Sequence, residues 1–464
     1  MINDRIKQRA VIFALLLIWA GLILWFKLVQ FSPYGIEEGA SRALLLVWSL
    51  AERVHTSVVF LNTPDFRMLI FVPLALYWAG SLLAAKVFTM LALFAAVLFF
   101  YRWSKEHMDN EVAMIASGLL LIAPLSLQQI DAIGAGIYLL LTFGVGNWLD
   151  QRIRSKEKLL TAWYFVHLIV IAGIISLHPI GLGYALGVLW SWQRQPINSA
   201  MKKQILMGVG LSAVFVGLLQ AGWVHIEWFN NPITTLGSAV LQINDADSSA
   251  AWFTGTLILI LFAIVIIRSR KFILNNHLAS SLLLASLIGL LSADKVWALL
   301  LLTLLLYLGA QQLIHAQKFG MRGFMAQRGL AFALLFIVAF VFMQGDKARH
   351  STLARGDFGD NDRLIETLVT SISNDEKKLH VSSQWPGRTM LALKQAAFPL
   401  PPTTDDDEYF LKITQGLTHI IFDHTDPRNI ALARQIARLS ANMPTLTREP
   451  GGVIIEVRTL DETP

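Results

Sequence analysis

Apolar residues fall into long runs over the first three quarters of the chain, at 10–31, 82–101, 112–127, 132–149, 161–177, 180–192, 205–223, 251–267, 278–291, 296–313 and 329–343. A run of roughly 20 residues crosses a bilayer as a helix, so the pattern predicts a polytopic α-helical membrane protein with about 11 transmembrane helices. Residues 40–54 differ: apolar positions recur at helical spacing with Arg42, Glu52 and Arg53 between them, as expected of a helix lying along a membrane surface. Residues 68–78 are apolar too, but a full crossing there would invert every later loop, so an interfacial or re-entrant helix is expected. From about residue 345 the pattern turns to mixed charge. Helices are predicted at 362–372, 387–397, 406–415 and 427–439, and strands at 379–383, 419–422 and 453–457. That alternation implies a small soluble α/β domain. The predicted organisation is a membrane domain over 1–344 with outer-face surface helices, followed by an α/β domain over 345–464.

Charge fixes the expected orientation. Basic residues gather in alternate connections, at Arg5/Lys7/Arg9, Arg102/Lys105, Arg152/Arg154/Lys156/Lys158, Arg194/Lys202/Lys203, Arg268/Arg270/Lys271 and Lys318/Arg322/Arg328. The positive-inside rule puts these in the cytoplasm, together with the N-terminus, and puts the C-terminal domain outside it. The first run ends in Leu28-Val29-Gln30-Phe31, which lacks small-residue cleavage chemistry, so a retained first span is expected.

Composition narrows the function classes. Of 464 residues 55% are hydrophobic and 15% charged, with a mean hydropathy of +0.55. A bilayer is therefore the solvent for much of the chain, and membrane lipids are its standing partners. The net charge of +6 is spread over short loops and makes no basic face, which argues against nucleic acid as a partner. With no cysteine, thiolate metal sites, disulfides and cysteine nucleophiles are excluded.

Candidate chemistry concentrates on the side opposite the basic loops. Glu37-Glu38 follows the first span within a few residues, where a carboxylate can serve as general base or metal ligand for a substrate arriving from the membrane. The same pair would equally stabilise the N-terminus of the surface helix that begins there. Asp131, after Pro124-Leu125-Ser126-Leu127-Gln128-Gln129-Ile130, stands at the junction of the third and fourth spans, either as a site acid or as a helix cap. Lys86 lies roughly 24 Å up its helix from Arg102, close to the outer interface, where it can meet a lipid phosphate or snorkel to headgroups. Arg42 and Arg67 are further outer cations. His178 before Pro179, and His225 with Glu227, are weaker candidates for an outer-face site. Gly181, Gly183 and Gly187 resemble a phosphate loop only superficially, because no strand precedes them, and close helix packing is the expected role.

Taken in order, these residues resemble the GT-C superfamily of membrane glycosyltransferases, in particular the branch of protein O-mannosyltransferases and lipid A aminoarabinose transferases. The resemblance rests on Glu37-Glu38, the helix at 40–54, Thr63-Pro64-Asp65-Phe66-Arg67, Ser81 to Val87 with Lys86, and Asp131 after Pro124. It covers roughly residues 10–149. Two departures stand out: Glu37 replaces the family's leading Asp, and one proline followed by Asp65 stands where two prolines are usual.

The resemblance implies sugar transfer from a polyprenyl-phosphate donor to an envelope acceptor (lipid, glycan or protein) at the outer face of a bacterial cytoplasmic (inner) membrane. Glu37 would be the base, Glu38 would orient it, Asp131 would support the site, and Lys86 with Arg42 or Arg67 would meet the phosphate leaving group. A divalent metal ion remains an open cofactor, since no ligand cluster in the sequence decides it. A catalytically inactive relative serving envelope assembly, and a transporter or flippase for a lipid-linked substrate, are the competing readings; a transporter should show inverted repeats and broken helices near the midplane.

Overall fold

The computed structural model describes residue 36 and residues 38–50, 82–154, 162–194, 203–204, 206–214, 249–290, 296–317, 360–372, 379–393, 395–424, 426–449 and 452–458, with isolated positions elsewhere. The chain divides into two compact units. Described residues of the first lie chiefly within 83–317. The second contains Ile36, the helix α1 (Glu38–Leu50) and the described residues from 360 onward. The segment after the first apolar run thus belongs to the same compact unit as the C-terminal domain.

The first unit is helical. Its described elements are α2 (Leu82–Ser104), α3 (Asn110–Ile122), α4 (Pro124–Ala132), α5 (Ala135–Arg154), α6 (Ala162–Leu177), α7 (Leu182–Arg194), α8 (Ser249–Asn275), α9 (His277–Leu290) and α10 (Val296–Gln317). They coincide with the apolar runs to within about five residues, except that α8 continues about eight residues beyond its run, through Arg268, Arg270 and Lys271, and the run at 112–127 is two helices. The break falls at Ala123, whose ψ of 136° leaves the helical region, and Pro124 opens α4. Proline has no N–H for the carbonyl four residues back. The Ser126 hydroxyl donates to that carbonyl, Leu120 O, at 2.6 Å. Among the described residues α2 alone is long and apolar enough to cross a bilayer as one unbroken helix, while α6, α9 and α10 carry shorter apolar stretches.

Close packing explains the glycines of α7. A Cβ on Gly183 would stand 2.3 Å from the backbone nitrogen of Ala285, and one on Gly187 would stand 2.1 Å from Ser281 Oγ. Both residues therefore let α7 approach α9 backbone to backbone, as small residues do in helix seams.

The second unit contains α11 (Asp360–Ile372), β1 (Val381–Ser383), α12 (Pro386–Leu393), β2 (Ala397–Phe398), α13 (Asp407–Thr414), β3 (His419–Phe422), α14 (Ile430–Arg438), β4 (Thr445–Glu449) and β5 (Gly452–Glu456). The sheet order is β2-β1-β3-β5-β4, with β1 parallel to both β2 and β3 and with β5 antiparallel to β3 and β4. Side chains alternate across it. Ile420, Phe422, Val453 and Ile455 pack with Phe410, Leu432 and Ile436 on one face. Val381, Ile421 and Ile454 pack with Leu364, Ile365 and Leu368 on the other. The result is an α/β layer domain, with two strands, β2 and β4, beyond those the sequence pattern predicts.

Candidate functional site

The acidic pair comes first. Glu37 lies outside the described residues, as do Arg67, His225, Glu227 and the apolar segment 68–78, while for Arg42 only its place in α1 is described. Glu38 opens α1, and its carboxylate reaches a different helix. Oε1 accepts from the Gly387 N–H at 2.7 Å and Oε2 from the Arg388 N–H at 3.0 Å. These are first-turn amides of α12, which have no partner inside their own helix, and the positive end of that helix favours a carboxylate. The local sequence predicts a cap for the helix Glu38 begins; the carboxylate bonds found here serve the N-terminus of α12, across 349 positions of chain.

The same elements enclose a cavity of about 260 Å³ whose wall includes Ile36, Ser41, Asp362, Ile365, Arg388 and Leu391. The Arg388 guanidinium pairs with the Asp362 carboxylate of α11. Burial pulls the Arg388 pKa below its ordinary value, and the Glu38 carboxylate pushes it the other way. Helices α1, α11 and α12 are thereby tied by one chain of charges that begins at Glu38.

Lys86 and Asp131 belong to the first unit. Lys86, 6% exposed, sits in the second turn of α2, and Asp131, 3% exposed, in the last turn of α4. Asp131 is thus a buried acid inside a helix and not the cap of a short turn. The turn after it is tight. Ile133 is left-handed at φ 54°, a conformation that costs a β-branched residue energy and recurs near functional sites. Gly134 donates to Gln129 O at 2.8 Å and Gly136 to Gln129 Oε1 at 3.0 Å. A Cβ on Gly134 would stand 2.0 Å from that Oε1, so a side chain there would displace the Gln129 carboxamide from the turn. Thr89 Oγ1 and Tyr138 Oη, 2.7 Å apart, join the early turns of α2 and α5. This places Lys86 and Asp131 at one end of the unit, each a buried charge that has to be met by opposite charge or by hydrogen bonds. His178 stands at the break between α6 and α7, where its Nδ1 accepts from the Ile180 N–H at 3.2 Å. That bond makes it a cap in the Nε2–H tautomer.

One constellation escaped the sequence reading. Asp150, 1% exposed in α5, accepts from Trp192 Nε1 and from Arg154 Nε, each at 2.6 Å, and lies 3.5 Å from His277 Nδ1. His277 Nδ1 is also 3.3 Å from Asn147 Oδ1, and His167 Nε2 is 3.2 Å from Tyr184 Oη beside it. The available signal was a carboxylate immediately after the apolar run 132–149 and one turn before Arg154, because ionisable groups beside a span are seldom idle. Among the described residues no group of three or more carboxylates or imidazoles converges to hold a metal ion.

No protein-family model and no curated protein sequence matches the chain. Solved structures do. ArnT from Cupriavidus metallidurans, solved bound to undecaprenyl phosphate, superposes with a TM-score of 0.52 at 11% identity over 96% of this chain and 97% of its own. The archaeal oligosaccharyltransferase AglB from Archaeoglobus fulgidus, solved with an inhibitory peptide and a dolichol-phosphate, gives 0.55 at 12% identity over 98% of this chain and 75% of its own. An Archaeoglobus fulgidus oligosaccharyltransferase in complex with Zn and sulfate gives 0.53 at 14% identity over 96% and 73%. With nearly its whole length aligned, the chain shares the fold of ArnT and of these oligosaccharyltransferases.

Proposed function

We propose that this protein is a GT-C-type glycosyltransferase that moves a sugar from a polyprenyl-phosphate carrier to an envelope acceptor at the outer face of the cytoplasmic membrane. The observation that carries this reading is the fold likeness along nearly the full chain to ArnT and AglB, both solved with a polyprenyl-type phosphate. In the proposed reaction an acceptor hydroxyl attacks the anomeric carbon and its proton passes to Glu37. The bond from sugar to carrier phosphate breaks, and the lipid phosphate leaves with the electron pair. Lys86, with Arg42 or Arg67, meets the charge that develops on that phosphate. Asp131 holds the Lys86 end of the first unit in shape. These roles use only side chains of the chain itself.

The test is transfer from a synthetic polyprenyl-phosphate sugar by purified protein in vesicles, with Lys86→Met beside the wild type. Methionine keeps the apolar stem and removes the charge. The variant should need about tenfold more lipid donor for the same rate, as expected when one charge-assisted contact to phosphate is lost. An unchanged donor requirement would remove Lys86 from the donor site. Absence of transfer with every lipid-linked sugar tried would favour the inactive-relative reading.

A further inference from the structure

The sheet of the second unit has the form in which α/β domains bind anions. Strands β1 and β3 are parallel neighbours, and the connection after β1 runs to β2 on one side while the connection after β3 runs to β4 on the other, so the order reverses between them. Open parallel sheets bind ligands at the carboxyl ends of strands at such a reversal, with the anionic group on the N-terminus of the following helix. Here that helix is α12, two residues beyond β1. The anion at its N-terminus is already part of the chain: the carboxylate of Glu38, held by the Gly387 and Arg388 amides.

We infer that the C-terminal domain uses this anion-binding end as a dock for the segment that carries the acidic pair, and that Glu38 is a positioning residue which acts through Glu37. The inference rests on the glycosyltransferase reading for the role of Glu37, but the docking itself stands on geometry. Both oxygens of Glu38 are engaged by backbone amides, so its carboxylate is committed to the dock. Consecutive Cα atoms lie about 3.8 Å apart, so holding Glu38 holds the Glu37 backbone. Arg388 reinforces the grip by pairing with Asp362, so that α11 and α12 move as one with α1. On this account the domain is the rigid support of an active-site segment and takes no soluble nucleotide at the reversal, because that position is filled.

Two measurements test it together. Hydrogen exchange on the purified full chain reads the dock directly: Glu38→Ala should speed exchange at the Gly387 and Arg388 amides by about tenfold or more, the loss expected for charge-assisted bonds. Glu38→Gln, which keeps one acceptor oxygen, should fall between it and the wild type. Unchanged exchange at both amides in Glu38→Ala overturns the dock.

The second arm separates positioning from contact with substrate. Glu38→Ala should lower kcat by about 10- to 10²-fold, the scale of a misplaced reacting group, at unchanged donor KM. A short bis-maleimide link between cysteines placed at Ser41 and Leu391, which share the cavity wall, should then restore kcat, and the cysteine-free background makes the link specific. A linked Glu38→Ala protein that stays as slow as the unlinked one overturns the positioning role and makes Glu38 a substrate contact. The exchange arm needs no turnover. A wild type that transfers no sugar therefore overturns the transferase reading while exchange still decides the dock.

Discussion

Glu37→Gln is expected to lower sugar transfer by about 10²–10⁴-fold with the protein still folded, the contribution typical of a general base. The substitution preserves volume and removes only the charge and the basicity. Its neighbour makes the comparison informative: Glu38 is engaged by two backbone amides of α12, so it holds structure at this point of the chain. If Glu37 were a helix cap as well, its loss would cost about 1 kcal/mol of stability and little rate. The two roles therefore separate on different instruments, turnover of a lipid-linked sugar on one side and thermal unfolding in detergent on the other. Asp131→Asn should reduce transfer less completely, because in the proposed reaction Asp131 supports the site and takes no proton. Full turnover by Glu37→Gln, with a lowered melting temperature alone, would leave the acidic pair a purely structural device and remove the main support for catalysis.

Asp150→Ala is expected to destabilise the first unit by about 3–5 kcal/mol, the range found when one partner of a buried ion pair is deleted. The carboxylate accepts from Trp192 of α7 and Arg154 of α5 and faces His277 of α9, so one side chain joins three helices. Removing it leaves an indole N–H without its acceptor and takes the carboxylate partner from a partly buried guanidinium. Arg154 keeps a second bond, to Ser191 Oγ at 2.9 Å, which moderates the loss without replacing the charge. Asp150→Asn should cost less, since an amide oxygen still accepts from Trp192. The measurement is the unfolding midpoint of each variant in detergent, together with the yield of folded protein. A midpoint for Asp150→Ala equal to that of the wild type would show that water or lipid headgroups already satisfy these groups.

The extent of the fold legible in the sequence follows from which forces act locally. Helices α2 and α5 to α10 were visible because burial in an apolar medium leaves a run of apolar residues wherever it happens. The strands β3 and β5 were visible as short β-branched stretches, and β1 as the short segment Leu379-His380-Val381-Ser382-Ser383 between two helical patterns. The strand β2 was not, because a two-residue edge strand has no period to detect. The strand β4, Thr445-Leu446-Thr447-Arg448-Glu449, mixes polar residues into an edge position, although the Pro450-Gly451 dipeptide that follows it in sequence was a usable hairpin signal. The break at Ala123 was likewise available in Pro124, which cannot donate inside a helix, but it was submerged in an apolar run that is otherwise continuous.

The candidate site divides in the same way. The sequence by itself determined the residue types, their order and the kind of solvent around them: an acidic pair just beyond the first apolar run, a lysine inside an apolar helix, an acid ahead of the fourth apolar run, and an α/β domain at the end. Only the tertiary structure decided which polar groups meet. Glu38 and Gly387 are 349 positions apart, and Asp150 and Trp192 are 42 apart. No local pattern encodes such pairs, because a buried carboxylate can be satisfied by any donor of suitable geometry, and which donor arrives is set by how helices and sheet pack. Periodicity reports how each segment meets its solvent. The partner of a buried charge is chosen by the whole fold at once.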